Sequence, residues 1–316
     1  MTSEGTPTVG VFVPSYNAEE FIAECLDSLL KQTYQLSQIV VCDDASTDNT
    51  PAIVREYISQ HPGLVSAILH KENRGIPSNF NSGLAAIETD LVSLIAADDY
   101  WHPEKIEREV ARLQQAREAR WVYSRSRQVD RHGNDIGPFE RKYDGAEGDI
   151  LGKVLTHKMA LRNYTVERTL YENIGEFDES FDIFEDWDMK IRLAAESPVA
   201  FADSETVYYR KHGDGASSSP PQIYIQNLKI AYKKHEKKID LLSEKIKKEV
   251  LLKKEKDLSN LYRRQYNQSL SKANWTRALL SYTYLATYTK HPNLRMLAKL
   301  ILYPLLRLAG YYDDKA

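Results

Sequence analysis

Cysteine is nearly absent: Cys25 and Cys42 are the only two in 316 residues, too few for a disulfide framework or a four-thiolate metal site. Both are expected as buried thiols in a reducing cytoplasm. Long apolar runs are missing as well. The greasiest stretch, Leu297 to Leu308, is interrupted by Lys299, Pro304 and Arg307, whereas a membrane-spanning helix needs ~20 nearly unbroken apolar residues. The first eight residues are small and polar, without the basic-then-apolar order of a signal peptide. No Gly-x-Gly-x-x-Gly follows a strand and no Gly-Lys-Ser/Thr loop occurs, which argues against dehydrogenase-type and P-loop nucleotide sites. What is present, 42% hydrophobic and 28% charged residues, is globular composition and excludes collagen, coiled-coil rods and disordered tails.

The net charge of −3 hides an asymmetry. Residues 222–316 hold 20 basic and 8 acidic side chains, a net +12, so residues 1–221 carry −15. A split of this kind suggests two jobs: an acidic part suited to holding a metal, and a basic part suited to an anionic surface.

The acidic part alternates strand and helix. Thr8 to Val13 is a short apolar run ending at Pro14 and predicts a buried strand. Ile22, Cys25, Leu26 and Leu29 recur at helical spacing, so a helix follows. Ile39 to Cys42 predicts the second strand, Ile53 to Ile58 a second helix, and Val65 to Leu69 and Leu91 to Ile95 further strands, with a helix over Ser78 to Ile87. Pro103 suits the first turn of another helix carrying Ile106, Val110 and Leu113. Such alternation predicts crossover units, a parallel sheet covered on both faces, and ligands beyond the carboxyl ends of the strands.

Those ends carry the chemistry. The first strand runs into Pro14-Ser15-Tyr16-Asn17, the second into Asp43-Asp44, and the fourth into Asp98-Asp99. Paired carboxylates delivered to one sheet edge repel each other unless a cation or solvent relieves them. Hard oxygen ligands favour Mg²⁺ or Mn²⁺, commonly shared with substrate phosphates. Asp48 and Asn49 are expected instead to cap the helix that follows.

These strings, in this order, resemble family-2 glycosyltransferases of the GT-A fold. The resemblance rests on Val13 to Asn17, Val41 to Asp48, Glu72-Asn73-Arg74-Gly75, Ala97 to Trp101, Phe184 to Leu193 and Tyr209 to His212, and covers residues 8 to about 219. It implies a Rossmann-like, mostly parallel mixed sheet with helices on both faces, as a catalytic domain over residues 1–221. A helical extension over 222–316 would follow. The flavour of Asn79-Phe80 and of Asp98 to Lys105 is similar to bacterial rhamnosyltransferase-like members, although Ala97 stands where those often carry Gln. The implied activity is metal-dependent, inverting transfer of a hexosyl or deoxyhexosyl unit in bacterial surface polysaccharide, O-antigen or capsule synthesis. The donor would be a nucleotide-diphosphate sugar, the acceptor a glycan or lipid-linked hydroxyl.

The resemblance also assigns roles. Asp44 would accept a hydrogen bond from the nucleotide base in a pocket framed by Pro14, Ser15, Tyr16 and Asn17, with Asp43 beside it and Arg74 near the phosphates. Asp99 would contact Mg²⁺ or Mn²⁺, and Asp98 the metal and the donor ribose or sugar. His212 would support the metal or diphosphate, with Arg210 in a lesser part. Asp186 would be the general base and Glu185 its neighbour that orients it. Asp188, about 200° further round a helix, reads as structural. The segment 144–163 falls where the family varies most and is expected to shape the acceptor pocket.

The basic tail has amphipathic helical spacing over Leu228 to Leu258, over Leu261 to Thr289 and over Leu294 to Leu308, after a Gly- and Ser-rich loop at Gly213 to Pro221. It suits an anionic membrane surface, packing on the catalytic domain, or a second copy of the chain. Localisation is then cytoplasmic, with attachment at the inner face of the plasma membrane through this tail. Its aromatics sit at core spacing rather than as a stacking platform, so nucleic acid is not an expected partner. The rival readings are a sugar-nucleotide pyrophosphorylase, which needs a Gly-rich, Arg-containing turn after the first strand that Pro14 to Glu20 does not supply, and a non-catalytic sugar-binding module.

Overall fold

The computed structural model describes residues 5–139, 145–212 and 219–272, together with Asn274, Ala278, Ser281 and Tyr282. The chain divides into two compact units, Met1–Gly215 and Ala216–Ala316.

In the first unit, β1 (Val9–Ser15), β2 (Gln38–Asp43), β3 (Val65–Leu69) and β4 (Leu91–Leu94) pair in parallel in the order β3-β2-β1-β4. Their crossovers are α1 (Ile22–Leu30), α2 (Thr50–Gln60) and α3 (Ile76–Ala86). Val9, Val11 and Val13 point to one face of β1 and pack with Ile22, Leu26, Ile39 and Val41. The third helix starts at Ile76, ahead of the expected Ser78, because Pro77 fits its first turn. Cys25 and Cys42 are buried free thiols, as expected.

Gly83 of α3 lies against Phe12 of β1, and a Cβ built there would stand 2.6 Å from the Phe12 ring and 2.9 Å from the Phe12 Cβ. Helix propensity alone favours Ala over Gly by about 1 kcal/mol. Overpacking against an atom so near the backbone costs about 1–3 kcal/mol, so the clash wins. Gly83→Ala is expected to lower the urea midpoint of unfolding; a raised midpoint would show that α3 slides off the sheet at little cost.

Beyond β4 the sheet turns mixed. β8 (Tyr164–Glu167) runs antiparallel to β4, β6 (Trp121–Val129) antiparallel to β8, β9 (Val199–Arg210) parallel to β6, and β5 (Tyr100–Trp101) antiparallel to β9. β7 (Asp135–Pro138) forms a hairpin on β6. The direction of each strand matters for function. Because β8 is antiparallel with Ser93 opposite Thr165, its start lies at the end of β4, and the carboxyl end of β9 reaches the same edge.

Helices α4 (Lys105–Gln115), α5 (Leu151–Leu155), α6 (Arg168–Ile174) and α7 (Glu185–Glu196) complete the unit. Under the mixed half lies a fully buried pair, Lys105 and Glu109, at 2.9 Å. Lys105 donates to the hydroxyls of Ser93 and Thr165, and Glu109 accepts from Ser124 and Thr165. The hydroxyls of three strands thereby satisfy charges that would be costly if left unpaired.

In the second unit, α8 (Pro221–Lys234), α9 (Glu236–Asp240) and α10 (Glu244–Ser271) replace the single expected helix over Leu228 to Leu258. The spacing of apolar residues runs through both breaks, but Ser243 takes an extended conformation that ends one helix direction and starts the next. Ile239, Val250, Tyr262 and Tyr266 are buried, as their spacing predicts, whereas Leu242 is half-buried and Ile246, expected on the same apolar face, is 38% exposed. The expected helix over Leu294 to Leu308, the end of the one over Leu261 to Thr289, and most of the Gly213 to Pro221 loop lie outside the described residues.

Candidate active site

The loops after β1 and β2 are laced together. Asn17 takes φ 48°, a left-handed conformation that Asn tolerates well. Its backbone N–H donates to the Ser46 hydroxyl at 2.8 Å, and its side-chain oxygen accepts from the Thr47 backbone at 2.9 Å. Asp43 accepts from the Ser46 backbone and hydroxyl at 2.9 and 2.5 Å, so it closes this turn. Asp44 accepts from the backbone N–H groups of Arg74 and Gly75 at 2.8 and 3.0 Å. That bond pair brings the Glu72 to Gly75 segment to the strand end and leaves each oxygen a further lone pair. Pro14 is half-buried, Ser15 buried, and Tyr16 is 53% exposed. Arg74 is exposed. Asp48 accepts from the backbone of Thr50 and of Glu19, the capping role expected of it.

Asp98 and Asp99 follow β4. Asp99 is buried and accepts from the Arg210 backbone N–H at 2.9 Å, while Asp98 meets His212 Nε2 at 2.9 Å. The Arg210 guanidinium donates to the backbone oxygens of Asp98 and Arg131 at 2.9 Å each and pairs with Glu24. Arg210 is therefore a clamp joining α1, the β4–β5 turn and the β6–β7 hairpin, with its guanidinium bonded to groups of the protein itself. Burial, and then the charge of Asp98, push the Asp99 carboxyl up to about 8, against the pull of the Arg210 N–H, the Arg162 charge and the Asn163 side chain.

A buried carboxylate that resists ionisation is the electrostatic condition a divalent cation relieves. The donor set, two carboxylates with an imidazole on one of them, suits an ion that also takes phosphate oxygens. Among the described residues no three His, Cys, Asp or Glu side chains cluster tightly enough to close a metal site unaided.

The third element is the start of α7. Phe184 takes φ 73°, a region aromatic residues rarely adopt, at a cost of roughly 1–3 kcal/mol. The helix opens with Glu185, Asp186 and Asp188, acids favoured by its dipole. Asp188 is fully buried and pairs with Arg192 at 2.9 Å, and Arg192 in turn holds the carbonyls of Ile174, Gly175 and Glu176. It is structural, as expected. Glu185 is buried; desolvation, and then the charge of Asp186, push its carboxyl up to about 8. Asp186 is 45% exposed and pairs with Lys190 at 2.6 Å. Desolvation by the surrounding protein raises its pKa, but the charge and hydrogen bond of Lys190 and the charge of Arg162 outweigh that and hold it below the usual carboxylate value.

Asp186 opens into a recess of about 200 Å³ lined by Lys190, Trp187, His157, Phe184 and Arg162. The Trp187 indole donates to the Val154 carbonyl at 2.9 Å and stacks on His157 at 4.1 Å between ring centroids. Arg162 and Asn163 stand immediately before β8. The Asn163 side chain lowers the Asp99 carboxyl, and the Arg162 charge acts on both Asp99 and Asp186. Neither residue, nor Lys190 as the partner of Asp186, follows from sequence reasoning. A lone Arg-Asn at a strand start is an unremarkable string, and only the antiparallel insertion of β8 carries it to the acidic edge.

The family model described as Glycosyl transferase family 2 matches residues 10–170. Chondroitin synthase of Escherichia coli is 27% identical over 230 residues, covering 72% of this chain and 32% of that protein. An uncharacterized glycosyltransferase of Rickettsia typhi is 28% identical over 213 residues, covering 66% of this chain and 65% of that protein. The chain thus spans between 32% and 65% of the length of these two relatives. Among solved structures, S. aureus TarS 1–349 in complex with UDP-GlcNAc superposes with a TM-score of 0.62 at 20% identity, covering 96% of this chain and 87% of that chain. At that identity the likeness establishes a shared fold.

Proposed function

Because the chain belongs to glycosyl transferase family 2, we propose that it transfers a hexosyl or deoxyhexosyl unit from a nucleotide-diphosphate sugar to a hydroxyl of a glycan or lipid-linked acceptor, with inversion, in surface polysaccharide synthesis. The observation that carries this reading is Asp186, a half-exposed carboxylate held ionised by Lys190 and Arg162 and linked through Arg162 to the Asp98-Asp99 strand end. UDP-GlcNAc in the TarS complex and the chondroitin synthase relative support a nucleotide-sugar donor and a polysaccharide product.

The chain's groups divide the work. The exposed Tyr16 offers its ring to the base, and Asp44 a lone pair beside it. Asp186 takes the proton of the acceptor hydroxyl as its oxygen forms the new bond to the anomeric carbon. The bond from that carbon to the diphosphate breaks, and the nucleoside diphosphate leaves with the electron pair. Asp99, with Asp98, would hold Mg²⁺ or Mn²⁺, which supplies charge neutralisation to the diphosphate. Glu185, protonated near neutral pH, keeps a second negative charge away from the base.

The test is product analysis with the purified full chain, a panel of nucleotide sugars and Mn²⁺. A glycosyltransferase releases nucleoside diphosphate. Consumption of donor only with added pyrophosphate, yielding nucleoside triphosphate, would make it a pyrophosphorylase instead.

For the tail, no described helix is long and apolar enough to cross a membrane. Leu241 is 88% and Leu252 55% exposed, with Leu251 also exposed, beside Lys245, Lys247 and Lys248 of α10. This mixture supports peripheral binding to an anionic bilayer. Replacing Leu251 and Leu252 together by Glu is expected to reduce cosedimentation with phosphatidylglycerol vesicles several-fold; unchanged sedimentation leaves the face to a second copy of the chain.

A further inference from the structure

The recess beside Asp186 contains a cation, Arg162, whose charge acts on Asp186 and Asp99 but whose N–H donors neither carboxylate takes up in an ion pair. The Arg162 guanidinium carbon sits 4.0 Å from the ring centre of Tyr209 of β9 and 4.5 Å from that of Phe139, two rings set edge to face. The two rings hold the guanidinium carbon and leave N–H donors, which bind planar oxyanions two-pronged. Among the described residues no carboxylate forms an ion pair with it. Asp186, the carboxylate of the same recess, is already paired with Lys190, and Asp99 is bonded to the Arg210 backbone N–H. The neighbouring segment Lys153 to Arg162 carries Lys153, His157, Lys158 and Arg162 and no acidic residue. Arg162 and Lys190 both line the recess, so its wall carries two cations to the one carboxylate of Asp186 where an acceptor hydroxyl must lie to reach that base.

We propose that this recess is a subsite for an acceptor unit bearing an oxyanion, a carboxylate or a phosphate, which Arg162 grips while the Trp187–His157 stack supports the ring and Asp186 meets the hydroxyl. The volume, about 200 Å³, is below the ~300–1,000 Å³ of sites for drug-sized ligands and suits one charged unit. The inference rests on Asp186 being the base. Arg162 is a specificity residue here: it is held 4.0 Å from the Tyr209 ring centre, and a neutral acceptor leaves its N–H donors unanswered.

The test measures binding of small probes to the full chain saturated with UDP and Mn²⁺, by saturation-transfer NMR. The probes are methyl glucuronide, glycerol 3-phosphate and the neutral methyl glucoside. Wild type is expected to bind at least one anionic probe about tenfold or more tighter than methyl glucoside. Arg162→Met should erase that preference, Arg162→Lys should retain only part of it, and UDP affinity should stay within twofold in both variants. Equal binding of charged and neutral probes, no binding of any, or a loss of UDP affinity matching the loss of probe affinity overturns the proposal; the last outcome gives Arg162 to the donor diphosphate. Should Arg162→Met fail to fold, Arg162→Lys and Arg162→Gln are read against wild type in the same way. UDP release from a nucleotide sugar, measured separately, reports on the transferase reading, so failure of one is distinguishable from failure of the other.

Discussion

Asp186→Asn is expected to lower turnover with acceptor by about 10²-fold or more, the usual worth of a positioned base, while donor affinity stays near that of wild type. Asn keeps the size of the side chain but takes no proton. The proposed donor contacts lie at the ends of β1, β2 and β4, and KM should move little because proton removal matters chiefly in the transition state. A purely structural Asp186 predicts the opposite, since Asn is as good near a helix start. A companion variant separates charge from position. Lys190 is the strongest influence lowering the Asp186 carboxyl, so Lys190→Met raises its pKa. The base works only when ionised, and the acid limb of kcat must move to higher pH. Turnover retained in Asp186→Asn, or a limb moving to lower pH in Lys190→Met, would remove Asp186 from the chemistry.

Asp99→Asn is expected to abolish the Mn²⁺-dependent part of nucleoside diphosphate binding, a loss of about tenfold or more, matching the 1.5–3 kcal/mol of one contact to a charged group. Calorimetry with and without Mn²⁺ reads this directly. Stability should move the other way. The folded-state pKa of Asp99 is raised from 3.8 to about 8, so its contribution is undiminished below the unfolded value and is lost as pH rises toward 8. Asn carries no charge and escapes that loss. Without metal, the variant should melt no lower than wild type at pH 8, and a lower melting temperature there would mean that Asp99 is held by partners stronger than those described.

The parallel half of the fold is legible because its strands are buried on both faces and read as plain apolar runs, as at Val9 to Val13 and Ile39 to Cys42. The mixed half is not. Trp121-Val122-Tyr123 is buried throughout while Arg125 and Arg127 pair outward with Asp203, Glu205 and Asp135, so β6 shows neither a clean apolar run nor a clean alternation. The acids of the site are visible in sequence as doublets at strand ends. The cations that tune them are not, because Lys190 looks like any surface helix residue and Arg162 reaches the edge only through the sheet order. The break before α10 is equally hidden, since Asp240 to Ser243 contains neither Pro nor Gly.

The Arg210 clamp sets a schedule for folding. Its partners Asp99 and Glu24 lie 111 and 186 residues earlier in the chain, and His212 reaches back 114 residues to Asp98. At a synthesis rate of about 5–20 residues per second, roughly 6–22 s separate Asp99 from Arg210 on the ribosome. During that interval the β1–β4 half has its neighbours, but the Asp99 carboxylate lacks the backbone N–H that anchors it. Long-range parallel pairing such as β6 with β9 is intrinsically slow, so the acidic edge is the last part of the sheet to take shape. A nascent chain ending before β9 has its parallel strands, but its acidic edge is still without the clamp.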